Sequence, residues 1–182
     1  MCKLCETKPV YEFTNKRKVC KSCFVRYFQK KFLTTIRKFG MIKNGNIVGY
    51  KKLSNFRDIV LEDLLFMFAE KGRVEIVQMF SKKKIDKIAM SSTIDSESDK
   101  IIHILIEDNI KKLEEVKPID KKIIKPLYLF LDKEILLYAE IKNLKFKKEK
   151  IARDKISNFI DELEKKHPEI KRAIINSYLE LN

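Results

Sequence analysis

Several residue types that shape or interrupt a fold are scarce in this chain. It has no Trp, four Gly and four Pro among 182 residues, so natural breakpoints are few, and it shows no internal repeat or low-complexity tract. No stretch reaches the roughly 18 apolar residues that a membrane-spanning helix needs. The sequence therefore argues against an integral membrane protein and against an array of small repeats.

Histidine is also rare, with two residues in the chain. His103 has no second His or Cys at helical spacing, so we expect a partly buried structural residue rather than a metal ligand. His167 precedes Pro168 at a helix end, where a cation suits the helix dipole. Asp95, Glu97 and Asp99 could form an acid/base set, but we expect them to be ordinary acids of a helix's first turn.

Cysteine is absent after residue 23, and all four cysteines lie before that point. No apolar h-region follows Met1–Cys5, so we expect no signal peptide and a cytoplasmic location. In such a reducing compartment disulfides are disfavoured and metal ligation is favoured. The lack of later thiols also confines any metal–thiolate chemistry to the N-terminus.

What the chain has in excess is positive charge. Its 40 Lys and Arg outnumber its 26 Asp and Glu, for a formal charge of +14. This balance favours a polyanionic partner such as nucleic acid, or an anionic membrane surface, although a solvated lysine-rich surface is an alternative. Hydrophobic residues make up 45 % of the chain, which is enough for an ordinary globular core.

Two C-x2-C pairs separated by fourteen residues predict a metal centre. Each pair can turn two sulfurs toward one ion, and together they complete the closed tetrahedral site that is typical of structural zinc. An iron–sulfur cluster and a redox pair are the alternatives. Residues 10–14 alternate like a short strand and residues 15–18 indicate a turn, so we expect a zinc-bound hairpin. The expected zinc ligands are Cys2, Cys5, Cys20 and Cys23.

A basic amphipathic helix is predicted directly after this head, capped by Ser22 and ended by Gly40. Phe24, Phe28 and Ile36 belong to one apolar stripe, which we expect to pack in the core rather than stack on bases. The opposite face is a candidate phosphate-binding surface, although long basic side chains on a solvated face are common. The candidate nucleic-acid contacts are Arg26, Lys30, Lys31, Arg37 and Lys38.

The remainder of the chain alternates short strands with helices, which indicates a small parallel α/β unit with mostly helical cover. Strands are predicted at residues 46–50, 87–90, 124–130 and 144–147, the third of them at a sheet edge because of Pro126. Helices are predicted at residues 60–70, 74–80, 95–113, 132–142, 151–166 and 170–179.

Four collinear stretches resemble one enzyme family. These are residues 20–31 (CKSCFVRYFQKK) with 35–38, residues 86–97, residues 125–139, and residues 161–168 (DELEKKHP). They are similar to segments of the tRNA 2-thiouridine synthetases, the TtuA and TtcA group of PP-loop ATPases. The resemblance implies an N-terminal four-cysteine zinc ribbon at residues 1–40. It also implies a truncated, helix-rich, Rossmann-like PP-loop domain at residues 41–182.

The resemblance also shows what this sequence has lost. The family adenylates a tRNA uridine with ATP and replaces its oxygen with sulfur, using an S-G-G-x-D-S loop that cradles pyrophosphate. At the equivalent place Ser54 and Asp58 match, but Asn55 and Phe56 replace the glycines. The family's later cysteines are absent, so a persulfide carrier or a three-cysteine cluster site is not expected. We therefore expect a degenerate, truncated member that binds ATP poorly.

Three functions remain open from the sequence. The leading hypothesis is a non-catalytic tRNA-binding or scaffold subunit in tRNA 2-thiolation, partnered by a full-length thiolation paralogue or by a second copy. The second is a divergent sulfurtransferase that acts on tRNA. The third is a zinc-ribbon regulator that binds DNA.

Overall fold

The computed structural model describes residues 1–5, 7–147 and 154–181, and it has an α/β fold. The strands are β1 (Tyr11–Glu12), β2 (Lys18–Val19), β3 (Ile47–Tyr50), β4 (Glu75–Gln78), β5 (Lys87–Ala89), β6 (Ile119–Asp120) and β7 (Ile123–Ile124). The α-helices are α1 (Lys21–Phe39), α2 (Phe56–Lys71), α3 (Ile94–Ile106), α4 (Asp132–Ile141), α5 (Lys155–Lys166) and α6 (Ile170–Glu180), and a 3-10 helix spans Ile110–Val116.

The N-terminal hairpin predicted between the cysteine pairs is present, as β1 paired antiparallel with β2. The amide of Phe13 donates to the carbonyl of Arg17, and Lys16 in the turn has a φ of 61°, in the left-handed region. The hairpin is shorter than predicted, but it carries the chain from the first thiol pair back to the second.

Helix α1 follows directly and has the predicted apolar stripe. Phe24, Phe28 and Phe32 are fully buried. The helix begins two residues earlier than predicted, with Cys20 rather than Ser22 at the N-cap position. Gly40 ends it with a φ of 60°, the left-handed conformation that glycine adopts without a Cβ clash. The helix thus joins the hairpin to the core.

The five-stranded sheet has the order β4-β3-β5-β7-β6, with all neighbours parallel except the antiparallel pair β6–β7. The chain moves outward from β3 to β4 through α2, then returns to the other side of β3 at β5. The strand order therefore reverses between β3 and β5. In open parallel sheets the crevice outside the carboxyl ends at such a point is the usual ligand site.

Two predicted elements were wrong in type. Residues 74–80, predicted as a helix, contain strand β4 (Glu75–Gln78) instead, because Ile76 and Val77 are β-branched and pair along β3. The predicted edge strand at 124–130 is only the end of β7, which lies between β5 and β6. Pro126 follows that strand, in a turn where no ladder hydrogen bond is needed from its nitrogen.

Three boundaries also differ from the prediction. The helix predicted at 95–113 is divided into α3 and the 3-10 helix, with Asp108 at a φ of 53° between them. Residues 144–147 form no strand, and the amide of Lys147 donates to the carbonyl of Ser54 at 2.7 Å. The predicted start of α5 at residue 151 lies outside the described residues.

The core consists of two clusters of buried side chains. The larger one runs from Cys2 and Val19 in the head through the phenylalanines of α1 to the sheet and α4. The smaller one lies between α3 and α6, around Ile101 and Ile175. The head therefore packs into the same core as the sheet. Within the described residues, no helix combines the length and the apolar character needed to cross a membrane.

Candidate metal centre and strand-end cleft

The hairpin and the start of α1 bring the four thiols together. Cys2 and Cys5 lie in the first turn of the chain, and Cys20 and Cys23 lie at the beginning of α1. All four Sγ atoms lie within 4.8 Å of one another. The Sγ of Cys5 is 3.2 Å from that of Cys20 and 3.7 Å from that of Cys23. Cys5 is the exposed member, and the other three are buried.

These separations fit one tetrahedral ion. With metal–sulfur bonds of about 2.3 Å, the ligands of a tetrahedral ion stand about 3.8 Å apart. A four-iron cluster places each thiolate on a different corner of a cube, so its ligands must stand farther apart than ligands that share one ion. A donor set of four thiolates suits zinc or a single iron. The residues present therefore fit a single-ion site, and a bound ion would neutralise thiolates and tie the two turns together.

The thiols perturb one another in a way that a cation would relieve. Hydrogen bonding, chiefly from the Ser22 hydroxyl, lowers the pKa of Cys20 to about 5. The pKa of Cys23 is raised to about 12, first by its hydrogen bond with the sulfur of Cys20 and then by burial. The amide of Leu4 donates to the Sγ of Cys2 and helps to lower that thiol's pKa. One thiolate thus forms readily and opposes the ionisation of its neighbour.

Four of the five candidate nucleic-acid contacts lie on the exposed face of α1. Arg26, Lys30, Arg37 and Lys38 all point to solvent, and we call them the basic stripe. In the described ranges, no carboxylate lies within ion-pair distance of these four side chains. No carboxylate among the described residues therefore neutralises the stripe, and such a surface suits contact with phosphate groups.

The structure places the fifth candidate, Lys31, in the interior instead. Its ammonium lies 2.7 Å from the carboxylate of Glu134, which is fully buried. Burial lowers the pKa of Lys31, and Glu134 opposes that shift. Lys31 lies three residues after Phe28 and thus at the edge of the buried stripe. It is an internal ion-pair partner and not part of the basic stripe.

Glu134 joins the head to the body of the protein. Besides Lys31, its carboxylate accepts hydrogen bonds from the Tyr11 hydroxyl in β1 at 3.4 Å and from Arg172 in α6 at 3.2 Å. The amide of Leu131 donates to it at 3.0 Å. Four segments of the chain therefore converge on one buried carboxylate, and sequence reasoning did not single it out.

A second candidate site is the cleft at the carboxyl ends of the parallel strands, with a volume of about 540 Å³. It lies at the reversal between β3 and β5. Lys51 and Leu53 line it from the loop after β3, Met79 from the loop after β4, and Met90 and Ser91 from the loop after β5. We call it the strand-end cleft. Its position is where this kind of sheet binds ligands.

The turn that would cradle phosphate in this cleft is occupied by its own side chains. Asn55 is the N-cap of α2, and its side-chain oxygen accepts a hydrogen bond from the amide of Asp58 at 3.0 Å. Its side-chain nitrogen donates to the carboxylate of Asp58. The Asn55 side chain therefore takes a backbone amide at the helix N-terminus that a bound phosphate would use, at a position where the phosphate-cradling loop has glycine. The residues present do not fit a nucleoside triphosphate.

Behind the cleft, buried ion pairs hold the C-terminal helices in place. Lys171 is 2 % exposed, and its ammonium contacts Asp95 at 2.9 Å, Asp161 at 2.7 Å and Glu164 at 2.8 Å. Burial opposes the charge of Lys171, but the three carboxylates outweigh burial and raise its pKa. Asp95, expected to be an ordinary first-turn acid, is therefore a buried anchor of α6.

Asp132 belongs to the same region. Its carboxylate forms a bidentate ion pair with Arg57 and accepts a hydrogen bond from the Thr93 hydroxyl at 2.9 Å. Burial and the neighbouring Asp95 raise the pKa of Asp132, and Arg57 opposes that shift. Arg57 lies in the first turn of α2 and Asp132 begins α4, so this pair joins the cleft's helix to the helix behind it.

His103 is partnered, as the sequence led us to expect. Its Nδ1 lies 2.7 Å from the carbonyl of Asp99, and its Nε2 lies 2.5 Å from the carboxylate of Asp154. Asp154 in turn caps α5 by accepting from the amide of Ser157. The pair fastens α3 to the start of α5.

Comparison with known proteins gives three findings. No family model matches the chain. Over 111 residues it is 31 % identical to a probable sulfurtransferase from Methanocaldococcus jannaschii, with 55 % of this chain and 33 % of that protein covered. The chain thus spans about a third of the length of this curated relative.

Among solved structures, the chain is similar to the U34-tRNA thiolase NcsA from Methanococcus maripaludis, determined with its 4Fe–4S cluster. The TM-score is 0.77 at 20 % identity, and the match covers 99 % of this chain and 86 % of the thiolase chain. At this identity the likeness establishes a shared fold. The predicted α/β class, a Rossmann-like sheet behind a four-cysteine head, is confirmed.

Proposed function

We propose that the chain is a non-catalytic, RNA-binding scaffold subunit of a tRNA 2-thiolation system, a degenerate relative of the PP-loop thiolation enzymes. One observation carries this proposal. The chain has the fold of a tRNA thiolase, but Asn55 and Asp58 occupy the turn where that fold would hold phosphate. A scaffold without its phosphate site can present RNA or a partner, but it cannot activate a uridine with ATP by itself.

The head, residues 1–40 in this proposal, holds one structural zinc ion on its four thiolates. The spacing of the sulfurs supports a single ion over a cluster, although the similar thiolase carries 4Fe–4S. Metal analysis of protein purified without oxygen tests this point. We expect one zinc per chain and no iron–sulfur absorption; several irons with sulfide-dependent colour would show a cluster instead.

The basic stripe is the proposed tRNA contact. Its four cations lie along one exposed helix face, and the chain carries a formal charge of +14. Neutralising phosphates releases counterions, so the affinity must fall steeply as salt rises. A basic stripe alone does not choose RNA over DNA. A preference for duplex DNA over tRNA would support a zinc-ribbon DNA-binding regulator instead.

The partner in this proposal is a full-length thiolation paralogue that supplies ATP chemistry and thiols, with a second copy of this chain as the alternative. Residues 41–182 form the degenerate PP-loop-like part, which keeps the sheet and helices that a partner of the same fold could recognise. Co-purification from the source cells, with the bound proteins and RNAs identified, distinguishes the two partners.

A divergent sulfurtransferase is the second candidate, because the curated relative is named a probable sulfurtransferase. In that case the chain would borrow nucleotide and thiols from a partner. Calorimetry with Mg-ATP, with and without the partner, separates the two functions. If the chain is a scaffold, Mg-ATP should give no heat of binding with this chain alone. With the partner present, the heat of Mg-ATP binding should equal that of the partner by itself.

The experiment that tests the proposed function is tRNA binding by purified protein over a range of salt concentrations. We expect binding at low salt that weakens as the basic stripe is neutralised by substitution. A protein that binds no tRNA at low salt is not the subunit proposed here.

A further inference from the structure

A small slot lies at the C-terminal end of α1, outside both sites described above. Its walls come from three segments: Phe39 at the end of α1, Pro118 and Ile119 before and within β6, and Tyr178 and Leu179 in α6. We call it the Phe39 slot. Its volume of about 370 Å³ is near the lower end of the range for small-molecule sites, so it has room for one planar ring system.

The two aromatic rings of the slot are held in place by contacts behind them. Phe39 packs edge-on against Tyr128, with ring centroids 6.0 Å apart and planes at 79°. The hydroxyl of Tyr178 donates to the carbonyl of Leu113 at 2.6 Å. Rings fixed in this way lose little freedom when a ligand enters, which favours binding.

Two lysines border the slot, and one of them is paired with a carboxylate. The ammonium of Lys38, the last cation of the basic stripe, lies 5.3 Å from the centroid of the Phe39 ring. Lys117 belongs to the lining itself, and Glu114 pairs with it at 2.6 Å. The basic stripe thus extends, through Lys38, to the edge of an aromatic recess.

A neighbouring groove shows that this charge distinguishes the slot. The groove between α3 and α6 has a similar volume, about 380 Å³, and shares Tyr178 with the slot. Its lining includes Ile101, Leu105 and Ile174 and contains no charged residue. The lining of that groove has no cation that could attract a phosphate, whereas the Phe39 slot combines aromatic walls with lysines at its edge.

We propose that the Phe39 slot binds one unstacked nucleobase of a single-stranded RNA segment, with a flanking phosphate at Lys38. This inference rests on the proposed RNA-binding function and extends it. Single-stranded nucleic acid is held by aromatic stacking combined with a positive track, and bases within a duplex cannot enter a recess. The slot has few polar groups to read a base edge, so it tolerates different bases. The RNA partner therefore offers an unpaired segment.

The test uses a short oligouridine RNA that carries one 2-aminopurine, and a fully paired duplex of equal length. Phe39→Leu keeps apolar packing but removes the ring. We expect about a tenfold loss of single-strand affinity and loss of 2-aminopurine quenching, with duplex binding changed less than about twofold. Phe66→Leu is the matched control, since Phe66 is a partly exposed ring on α2, and it should change neither.

A second measurement does not depend on a variant's folding. Photo-crosslinking of a 4-thiouridine oligonucleotide to the unaltered protein, followed by mass spectrometry, should give adducts on the peptides that contain Phe39 or Tyr178. Adducts found only on other peptides would show that the Phe39 slot does not bind a nucleobase.

The outcomes also separate this inference from the proposed function. If Arg26→Gln with Lys30→Gln weakens RNA binding but Phe39→Leu does not, the chain binds RNA and the slot assignment is wrong. If single-strand and duplex affinities fall equally in Phe39→Leu, the ring acts on folding and the slot is again wrong. If the unaltered protein binds no RNA at low salt, both proposals fail.

Discussion

The thiol head and the strand-end cleft are both built where a short turn enters a helix, and they use the N-cap residue differently. In α1 the N-cap is Cys20, whose side chain makes no capping hydrogen bond, so its sulfur lies among the other three. In α2 the N-cap is Asn55, whose side chain is used up by Asp58. At the start of α1 the N-cap sulfur can bind a ligand. At the start of α2 the polar atoms of Asn55 hydrogen-bond to Asp58.

The two turns therefore depend on their polar side chains to different degrees. The turn after β3 leads into helix α2, and its N-cap side chain is hydrogen-bonded within the turn. The described segment before α1 has little regular structure beyond a hairpin with strands of two residues each, so it is held by its thiols and by packing against α1. Removing a ligand group should therefore damage the head severely and the cleft only slightly.

The largest effect is expected in the head. Cys20→Ser removes one metal ligand from a segment too small to hold itself together. We expect loss of bound metal and a fall of about 4 kcal/mol or more in the free energy of unfolding. Metal analysis and denaturant unfolding measure the two quantities. Thr14→Ala, an exposed change in the same head, should keep the metal; full metal content in Cys20→Ser would refute the four-thiolate site.

The next largest effect tests how the head is tied to the body. Glu134→Gln leaves Lys31 as a buried cation without its carboxylate, and we expect a loss of about 3 kcal/mol of stability by chemical denaturation. Glu75→Gln, which breaks the exposed pair with Lys83, is the control and should cost less than about 1 kcal/mol. Equal losses of stability in the two variants would mean that the Glu134 carboxylate does not join the head to the body of the protein.

The basic stripe should affect binding and leave stability unchanged. Arg26→Gln combined with Lys30→Gln removes two phosphate contacts, so the slope of log affinity against log salt should fall by about two. Fluorescence anisotropy with labelled tRNA measures the slope. Lys165→Gln combined with Lys166→Gln on α5 should leave the slope unaltered. An equal fall in that double variant would mean that net charge, and not the basic stripe, determines tRNA binding.

In the cleft, the N-cap substitution should have a small effect. Asn55→Ala removes the capping oxygen and should cost about 1 kcal/mol in thermal unfolding. It should not create Mg-ATP binding, because Phe56 still stands at the second glycine position of the phosphate-cradling loop. Ser54→Ala is the control, since the contact of Ser54 with Lys147 uses its backbone carbonyl, which the substitution keeps. Tight ATP binding by either variant, or by the unaltered chain, would contradict the assignment.

The smallest effect concerns pH. The hydrogen bond to Asp154 raises the pKa of His103, so this pair's stabilisation is present below the ordinary histidine pKa and is lost as pH rises through the raised value. The pKa of Asp154 is lowered to about 2, chiefly by the amide of Ser157, so its part is lost as pH falls from about 4 toward that value. Histidine NMR titration should show the His103 pKa falling in Asp154→Asn; an unchanged pKa would exclude the pair.

The sequence predicted the parts of the fold that depend on local spacing. Cysteine pairs at C-x2-C spacing and the phenylalanine repeat of α1 can be read along the chain, because ligands and helix faces recur at fixed intervals. Residues 74–80 could not be assigned securely, since so short an apolar run suits a strand or a helix equally well. Only pairing with β3 decides between them.

The buried polar networks were out of reach of the sequence for a different reason. Asp95 and Lys171 lie 76 positions apart, and Lys31 and Glu134 lie 103 apart. Such pairs are set by tertiary packing, and a charged residue on an amphipathic helix is expected at the surface unless its position on the helical wheel is examined. Lys31 follows Phe28 by three residues, which is the one indication that it lies beside the buried stripe.

The central claim is that the chain keeps an RNA-binding head and has lost nucleotide chemistry. A native gel with labelled tRNA and Mg-ATP labelled at the α-phosphate measures both in one sample. The account predicts a salt-sensitive shift of the tRNA that needs the intact four-thiolate head, with no bound nucleotide and no AMP released. Bound ATP or released AMP without any other protein would contradict it, as would tRNA that does not shift at low salt.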